Sequence, residues 1–221
     1  MEQLIREAVQ NATERIENER GWLEELDSEI GDGDFGTNLQ RGARACTEEL
    51  DKSGSGTPAE LVRTVGQTLL NEVGGSSGVL IGMSLMEASD ELSDEINRTS
   101  LVRFAERFQS EIEERGDVSI GDKTMFDVVV PVVSVIQARA ESELSSAEVS
   151  AQVVEAARRG AIYTSALQAH SGRASYTELR AVGNPDPGAV GVYLILQEIH
   201  TTVQSHTDST VEPHLGDPFD P

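Results

Sequence analysis

Lysine is nearly missing from this sequence. Lys52 and Lys123 are the only two, and the other fifteen of its seventeen basic residues are arginines. Against them stand 39 acidic residues, for a formal net charge of −22. A chain so charged is not expected to bind nucleic acid or an anionic membrane unaided. An acidic, lysine-poor composition resembles that of proteins from extreme halophiles, where dense salt screens the self-repulsion. Cysteine is represented once, by Cys46, which excludes an intrachain disulfide. Cys46 falls in a helical stretch and reads as a small core residue rather than a nucleophile. Aromatics make up 4% of the chain, so the core has to be built from Leu, Val, Ile and Ala. No uninterrupted apolar run approaches the roughly 20 residues that span a bilayer. Met1-Glu2-Gln3-Leu4 does not open a signal peptide, so a cytoplasmic location is expected. Sustained period-2 alternation with hairpin turns is also lacking, which argues against a sheet.

What is present is helical periodicity. At 221 residues the chain fits one domain with one substantial core. Leu4, Ile5, Val9, Ala12 and Ile16 recur at helical spacing. Further helices are expected over 22–30, 39–50, 76–92, 101–115, 125–140 and 187–203. Thr57-Pro58-Ala59-Glu60 joins a capping box to a proline at the first helical position. Ser145-Ser146-Ala147-Glu148 caps another helix, running to Leu167. Eight or nine helices on short loops imply antiparallel neighbours. The domain is expected to cover 1–204, and the polar, proline-bearing 205–221 to be a poorly ordered tail.

Four glycine-rich segments carry the chemistry. The first runs Leu26-Asp27-Ser28-Glu29-Ile30-Gly31-Asp32-Gly33-Asp34-Phe35-Gly36-Thr37-Asn38. Its aspartates fall at i, i+5 and i+7, and oxygen ligands of this kind suit Mg²⁺, completed by water and phosphate oxygens. The glycines let the backbone fold tightly enough for separated carboxylates to converge. An EF-hand would close on Glu at position twelve; counted from Asp27 that position is Asn38, and from Asp32 it is Ala43. The second, Gly74-Gly75-Ser76-Ser77-Gly78, precedes a helix and reads either as a phosphate site on backbone N–H groups or as a small-residue helix contact. It is neither a Walker A loop nor a dinucleotide fingerprint, since no Gly-Lys-Ser/Thr follows and no strand precedes. The third is Gly121-Asp122-Lys123-Thr124-Met125. A lysine in so lysine-poor a chain invites a functional role, and an ion pair with Asp127, one turn on, is the structural alternative. The fourth is Gly172-Arg173-Ala174-Ser175-Tyr176, followed by Gly183-Asn184-Pro185-Asp186-Pro187-Gly188-Ala189. Arg173 offers phosphate a planar fork, and Asp186-Pro187 fits an N-cap followed by the first helical position.

Together, in this order and at these separations, the four segments resemble the L-subunit family of dihydroxyacetone kinases, from about Leu26 to Ile199. The resemblance implies an all-α fold, a barrel of eight antiparallel helices with ADP or ATP at one end. It implies two Mg²⁺ ions held by Asp27, Asp32 and Asp34, with Arg173 beside them as a catalytic group. Phe35, Gly36, Thr37, Asn38, Ser76, Ser77, Gly121, Lys123, Thr124, Val130, Arg173, Asp186, Pro187 and Gly188 would line the nucleotide. Phe35 and Asn184 stand where the family commonly has histidine. The implied reaction is phosphoryl transfer to dihydroxyacetone held on a separate K subunit. Because no K domain is fused here, the phosphotransferase-system version is favoured over the ATP-dependent one, with a phosphohistidine M subunit recharging the nucleotide. A homodimer is admitted as well. The rival readings are a kinase component for a sugar or fatty acid and a nucleotide-sensing regulatory module. An all-helical scaffold without a ligand is disfavoured by the placement of the glycine-rich segments at helix ends.

Overall fold

The structure is a computed structural model that describes residues 1–73, 75–92, 96–169, 182–207 and 211. Among these it forms eight α-helices and no strand: α1 (Glu2–Ile30), α2 (Phe35–Lys52), α3 (Pro58–Glu72), α4 (Gly75–Ser89), α5 (Arg98–Gly116), α6 (Phe126–Ala138), α7 (Ser146–Thr164) and α8 (Pro187–Thr207). Each helix packs on its neighbour in sequence, and α8 packs back on α1. The ring is therefore closed, and the expected antiparallel barrel is the fold found. An up-and-down order has one consequence for the site. The even helices all start at the end where the odd ones stop, so the N-termini of α2, α4, α6 and α8 gather there, each carrying partial positive charge.

Local sequence accounts for most of the boundaries. Thr57 accepts from the Glu60 N–H while the Glu60 side chain accepts from the Thr57 N–H, so the capping box of α3 forms in full. Ser145 and Glu148 do the same for α7. A third box, Asn97 with Ser100, starts α5 three residues earlier than periodicity places it. The two helices expected over 4–16 and 22–30 are one helix of 29 residues, because Gly21 breaks nothing inside it. The last helix runs past Val203 to Thr207, into the segment expected to be tail. At the end away from the four N-termini, two arginines hold helix C-termini. Arg6 donates to the carbonyls of Leu50, in the last turn of α2, and of Ser53 and Gly54 just beyond it. Arg98 donates to those of Arg139 and Leu144 beyond α6.

The core is aliphatic, as the shortage of aromatics requires. Its main cluster joins Ile16 and Leu23 of α1, Leu39 of α2, Val128 and Val132 of α6, Val154 and Ala157 of α7, and Val190 and Leu194 of α8. A second joins Ala105 and Ile112 of α5 to Phe126, Val129 and Val133 of α6. Cys46 is buried with its thiol pushed up to about 12 by desolvation, which suits a core residue and not a nucleophile. Helices α3 and α4 cross at Gly66 and Gly82. A Cβ on Gly82 would stand 2.6 Å from both the Gly66 oxygen and the Leu70 nitrogen. No helix among the described residues is long and apolar enough to cross a membrane. The charge of −22 is self-repulsive, so the melting temperature followed by circular dichroism should rise with KCl; a flat response would count against the halophile reading.

Candidate metal and phosphate site

The three aspartates of the first segment come together where α1 passes into α2. Asp27 lies in the last turn of α1, Asp32 in the linker, and Asp34 at the N-cap of α2. One carboxylate oxygen from each lies within 4.8 Å of the other two; Asp27 is buried, and Asp32 and Asp34 are exposed. The linker reverses in four residues because Gly33 takes φ +74, and a Cβ there would stand 2.5 Å from Ser28 Oγ. Asp34 does not cap its own helix. Asp27 does so from across the linker: its Oδ2 accepts the N–H groups of Asp34 at 3.0 Å and Phe35 at 3.2 Å. Burial raises the Asp27 carboxyl above its ordinary range, the Phe35 and Asp34 N–H groups lower it, and the charge of Asp32 raises it again. Three carboxylates this close repel one another unless a cation sits among them. Hard oxygen donors in such a group fit Mg²⁺.

The other expected residues fall at the same end of the barrel but not in one role. Asp186 caps α8, its Oδ2 accepting from the Ala189 N–H at 2.7 Å, with Pro187 buried at the first helical position as the sequence predicts. Desolvation pushes Asp186 up to about 7; Ala189 N–H and Lys123 pull it down, while Asp127 and Asp27 push it further up. The start of α8 and the end of α1, which carries Asp27, lie at the same end of the barrel, and α8 packs on α1. Gly188 completes that turn, its position 3.0 Å from Asp186 Oδ2 and 3.5 Å from Met125 Cε by the same Cβ measure. Gly121 takes φ +97, and its N–H donates to Asp127 Oδ1 at 2.6 Å. Thr124 N–H donates to Asp127 Oδ2 at 2.9 Å, and Thr124 Oγ1 accepts from Phe126 N–H. Ser77 lies in the first turn of α4, part exposed. The side chain of Ser76, and Arg173 with the whole 172–176 segment, fall outside the described residues.

Several expectations shift. The Phe35 ring packs on the core and lies 3.5 Å from where Gly191 would carry a Cβ, so it fills part of the α2–α8 seam. Gly36 serves a close helix approach, since a Cβ would stand 2.3 Å from the Arg20 oxygen of α1. Thr37 Oγ1 donates to Glu24 on the outer face of α1, and Asn38 Oδ1 accepts from Arg41. Val130 packs against the Phe126 cluster. Lys123 is not turned outward at all: it is 1% exposed, and its ammonium donates to two protein carbonyls. Asp127, its expected ion-pair partner, is engaged by Gly121 and Thr124 N–H groups. Thr164, whose Oγ1 accepts from the Asp186 N–H at 2.9 Å, gave no signal in the sequence. It ends a helix 22 residues before its partner.

A closed ring of eight antiparallel helices with a carboxylate cluster at the end where four N-termini meet defines a helical-barrel class of domain with a candidate metal site. The DAK2 domain signature matches residues 29–201, and the chain belongs to that family. It is 36% identical over 188 residues to the ADP-binding subunit DhaL of PEP-dependent dihydroxyacetone kinase 2 of Listeria innocua, covering 83% of this chain and 87% of the relative. It is 34% identical over 184 residues to the corresponding Escherichia coli subunit, covering 81% and 86%. Against the human triokinase/FMN cyclase it is 34% identical over 187 residues, but spans only 32% of that protein. Its fold is similar to that of the dihydroxyacetone kinase of C. freundii, solved in complex with AMP-PNP and Mg²⁺. The TM-score is 0.72 at 24% identity, over 90% of this chain and 34% of the longer one.

Proposed function

We propose that this chain is the nucleotide-binding subunit of a multi-subunit dihydroxyacetone kinase. It would hold ADP or ATP with Mg²⁺ and pass a phosphoryl group to dihydroxyacetone carried by a separate K-type subunit. The observation that carries the reading is the convergence of Asp27, Asp32 and Asp34 at the end of the barrel where four helix N-termini gather. When bound, the metal–nucleotide complex supplies the transferable phosphoryl group and the cationic charge that offsets it. Asp27, Asp32 and Asp34 hold the metal, two ions being the proposed number. The first turns of α2, α4 and α8 offer N–H groups and positive potential to phosphate oxygens, and Arg173 would add a positive charge. Catalysis in this scheme is positioning and charge compensation, with no covalent step on this chain.

Two observations support division of the work between subunits. The Listeria and Escherichia relatives, matched over nearly their whole length, are named as ADP-binding subunits of PEP-dependent kinases. Among the described residues and apart from Met1, the exposed large apolar residues lie at the site end: Val79, Ile120, Ile162, Tyr163 and Val182. That rim is the proposed docking surface for the K-type partner. A phosphohistidine M subunit is the proposed phosphoryl donor; the nucleotide, held at the carboxylate and N-terminal end of the barrel, would carry the group between that donor and the ketone. A cytoplasmic location goes with these partners.

The test is reconstitution at high KCl, with the chain assayed alone, with a K subunit, and with K, M and a phosphoenolpyruvate-driven phosphohistidine supply. Product is expected only in the last. Turnover by the chain alone would sink the proposal. Turnover with ATP and K but without M would leave the site standing and overturn the donor. Activity on a sugar or fatty acid with another partner would favour that rival. Light scattering on the same preparations separates a monomer from a homodimer.

A further inference from the structure

One cation at this end of the barrel, Lys123, is expected from the sequence to line the nucleotide but is turned into the protein instead. Lys123 adopts φ 62, in the left-handed region, although it is not glycine. It is 1% exposed. That backbone conformation and the burial of a charge are both unfavourable, so the surroundings must impose them. Nζ donates to the Thr164 carbonyl at 2.6 Å and to the Asn184 carbonyl at 2.5 Å. The first carbonyl ends α7, and the second belongs to the loop entering α8. The same two segments are joined by Gly183 N–H to the Ser165 carbonyl at 2.8 Å and by Asp186 N–H to Thr164 Oγ1 at 2.9 Å. Asp186 and Asp127 both attract the ammonium. Asp127 fixes the loop that carries Lys123 through the Gly121 and Thr124 N–H groups. Three segments that are far apart in sequence thus meet at one ammonium group. Beyond them, Asp186 caps α8, and α8 packs on α1, whose last turn at the same end of the barrel carries Asp27.

We propose that Lys123 is a positioning residue for the phosphate end of the barrel: its ammonium pins the end of α7 to the loop entering α8, and so sets where Asp186 and the first turn of α8 stand relative to Asp27. The functional consequence rests on the nucleotide reading above; the clamp itself rests on geometry alone. Direct contact with phosphate is disfavoured because so little of the side chain reaches the surface and two of its three donors already meet carbonyls.

The test uses the full chain at high KCl with Lys123→Met, which keeps the stem and removes the charge. Amide hydrogen exchange should show the Asp186 and Ala189 amides losing about tenfold or more in protection, the size expected when charge-assisted hydrogen bonds are removed. Amides at the α3–α4 crossing should not change. Unchanged exchange at Asp186 and Ala189 overturns the proposal. The second readout is the dissociation constant for Mg–ADP in wild type, Lys123→Met, Asp186→Asn and the double variant. If Lys123 acts through Asp186, the double variant is no more than about threefold worse than the poorer single variant, a non-additive pattern. Losses that multiply would mean that Lys123 acts independently of Asp186, and would overturn the proposal. Should Lys123→Met not fold, both readouts are taken on Lys123→Arg, whose planar fork keeps the charge but moves the donors off the two carbonyls; the same pattern is expected at smaller size. A wild type that binds no Mg–ADP would overturn the nucleotide reading, while hydrogen exchange would still decide the clamp.

Discussion

An Asp32→Ala variant is expected to lose at least about 100-fold in affinity for Mg–nucleotide, or roughly 2.7 kcal/mol by affinity arithmetic. Asp32 is the cleanest of the three aspartates to remove. Asp27 also caps α2 through two N–H groups, so its loss would disturb the helix as well as the site. Asp34 occupies the N-cap position, and its N–H is one of the two that Asp27 holds, although its own side chain makes no cap bond. Asp32 sits exposed between them, with its oxygen inside the 4.8 Å group. Removing one of three crowded negative charges relieves repulsion in the ligand-free protein. The variant should therefore melt no lower than wild type without ligand and fail to gain the stabilisation that Mg–ADP gives wild type. Calorimetry and ligand-dependent melting check the two halves. Affinity within about threefold of wild type would refute the metal assignment.

Gly82→Ala should destabilise the barrel by about 2 kcal/mol, the usual size for forcing atoms into a packed contact. The added methyl would stand 2.6 Å from backbone atoms of Gly66 and Leu70, neither of which is a flexible side-chain end. Helices α3 and α4 would have to separate. For a chain of this size the loss corresponds to roughly 4–8 °C in melting temperature. The same substitution at Gly21 should have the opposite sign. Gly21 lies inside α1, and a Cβ there meets nothing within 4 Å. Helix propensity then favours alanine by about 0.5–1 kcal/mol. Thermal melts of the two variants at one salt concentration check the pair, and equal shifts would show that α3 and α4 do not cross at Gly66 and Gly82.

Where capping chemistry is written locally, the fold was legible from sequence. Thr57-Pro58-Ala59-Glu60, Ser145-Ser146-Ala147-Glu148 and Asp186-Pro187 each start the helix they predict. The convergence of the three carboxylates was legible for the same reason, since all three aspartates lie within one turn and a linker. Glycine was the main source of error, because its two uses look alike in sequence. Gly21 lies inside α1 and costs a long helix little. Gly36 reads as loop but is the point where α2 presses on α1, so α2 starts at Phe35 and not near Leu39. Lys123 was singled out by rarity alone, and rarity says that a side chain matters without saying which way it faces. Its burial depends on Thr164 and Asn184, which only the closed ring brings near it.

The most direct test of the central claim is titration of ADP into the purified wild-type chain at high KCl, once with Mg²⁺ and once with a chelator. The account predicts tight binding with Mg²⁺ and a loss of about 100-fold or more in its absence, because three carboxylates at the site repel a bare polyphosphate. Equal affinity with and without the metal, or no binding in either case, would contradict it.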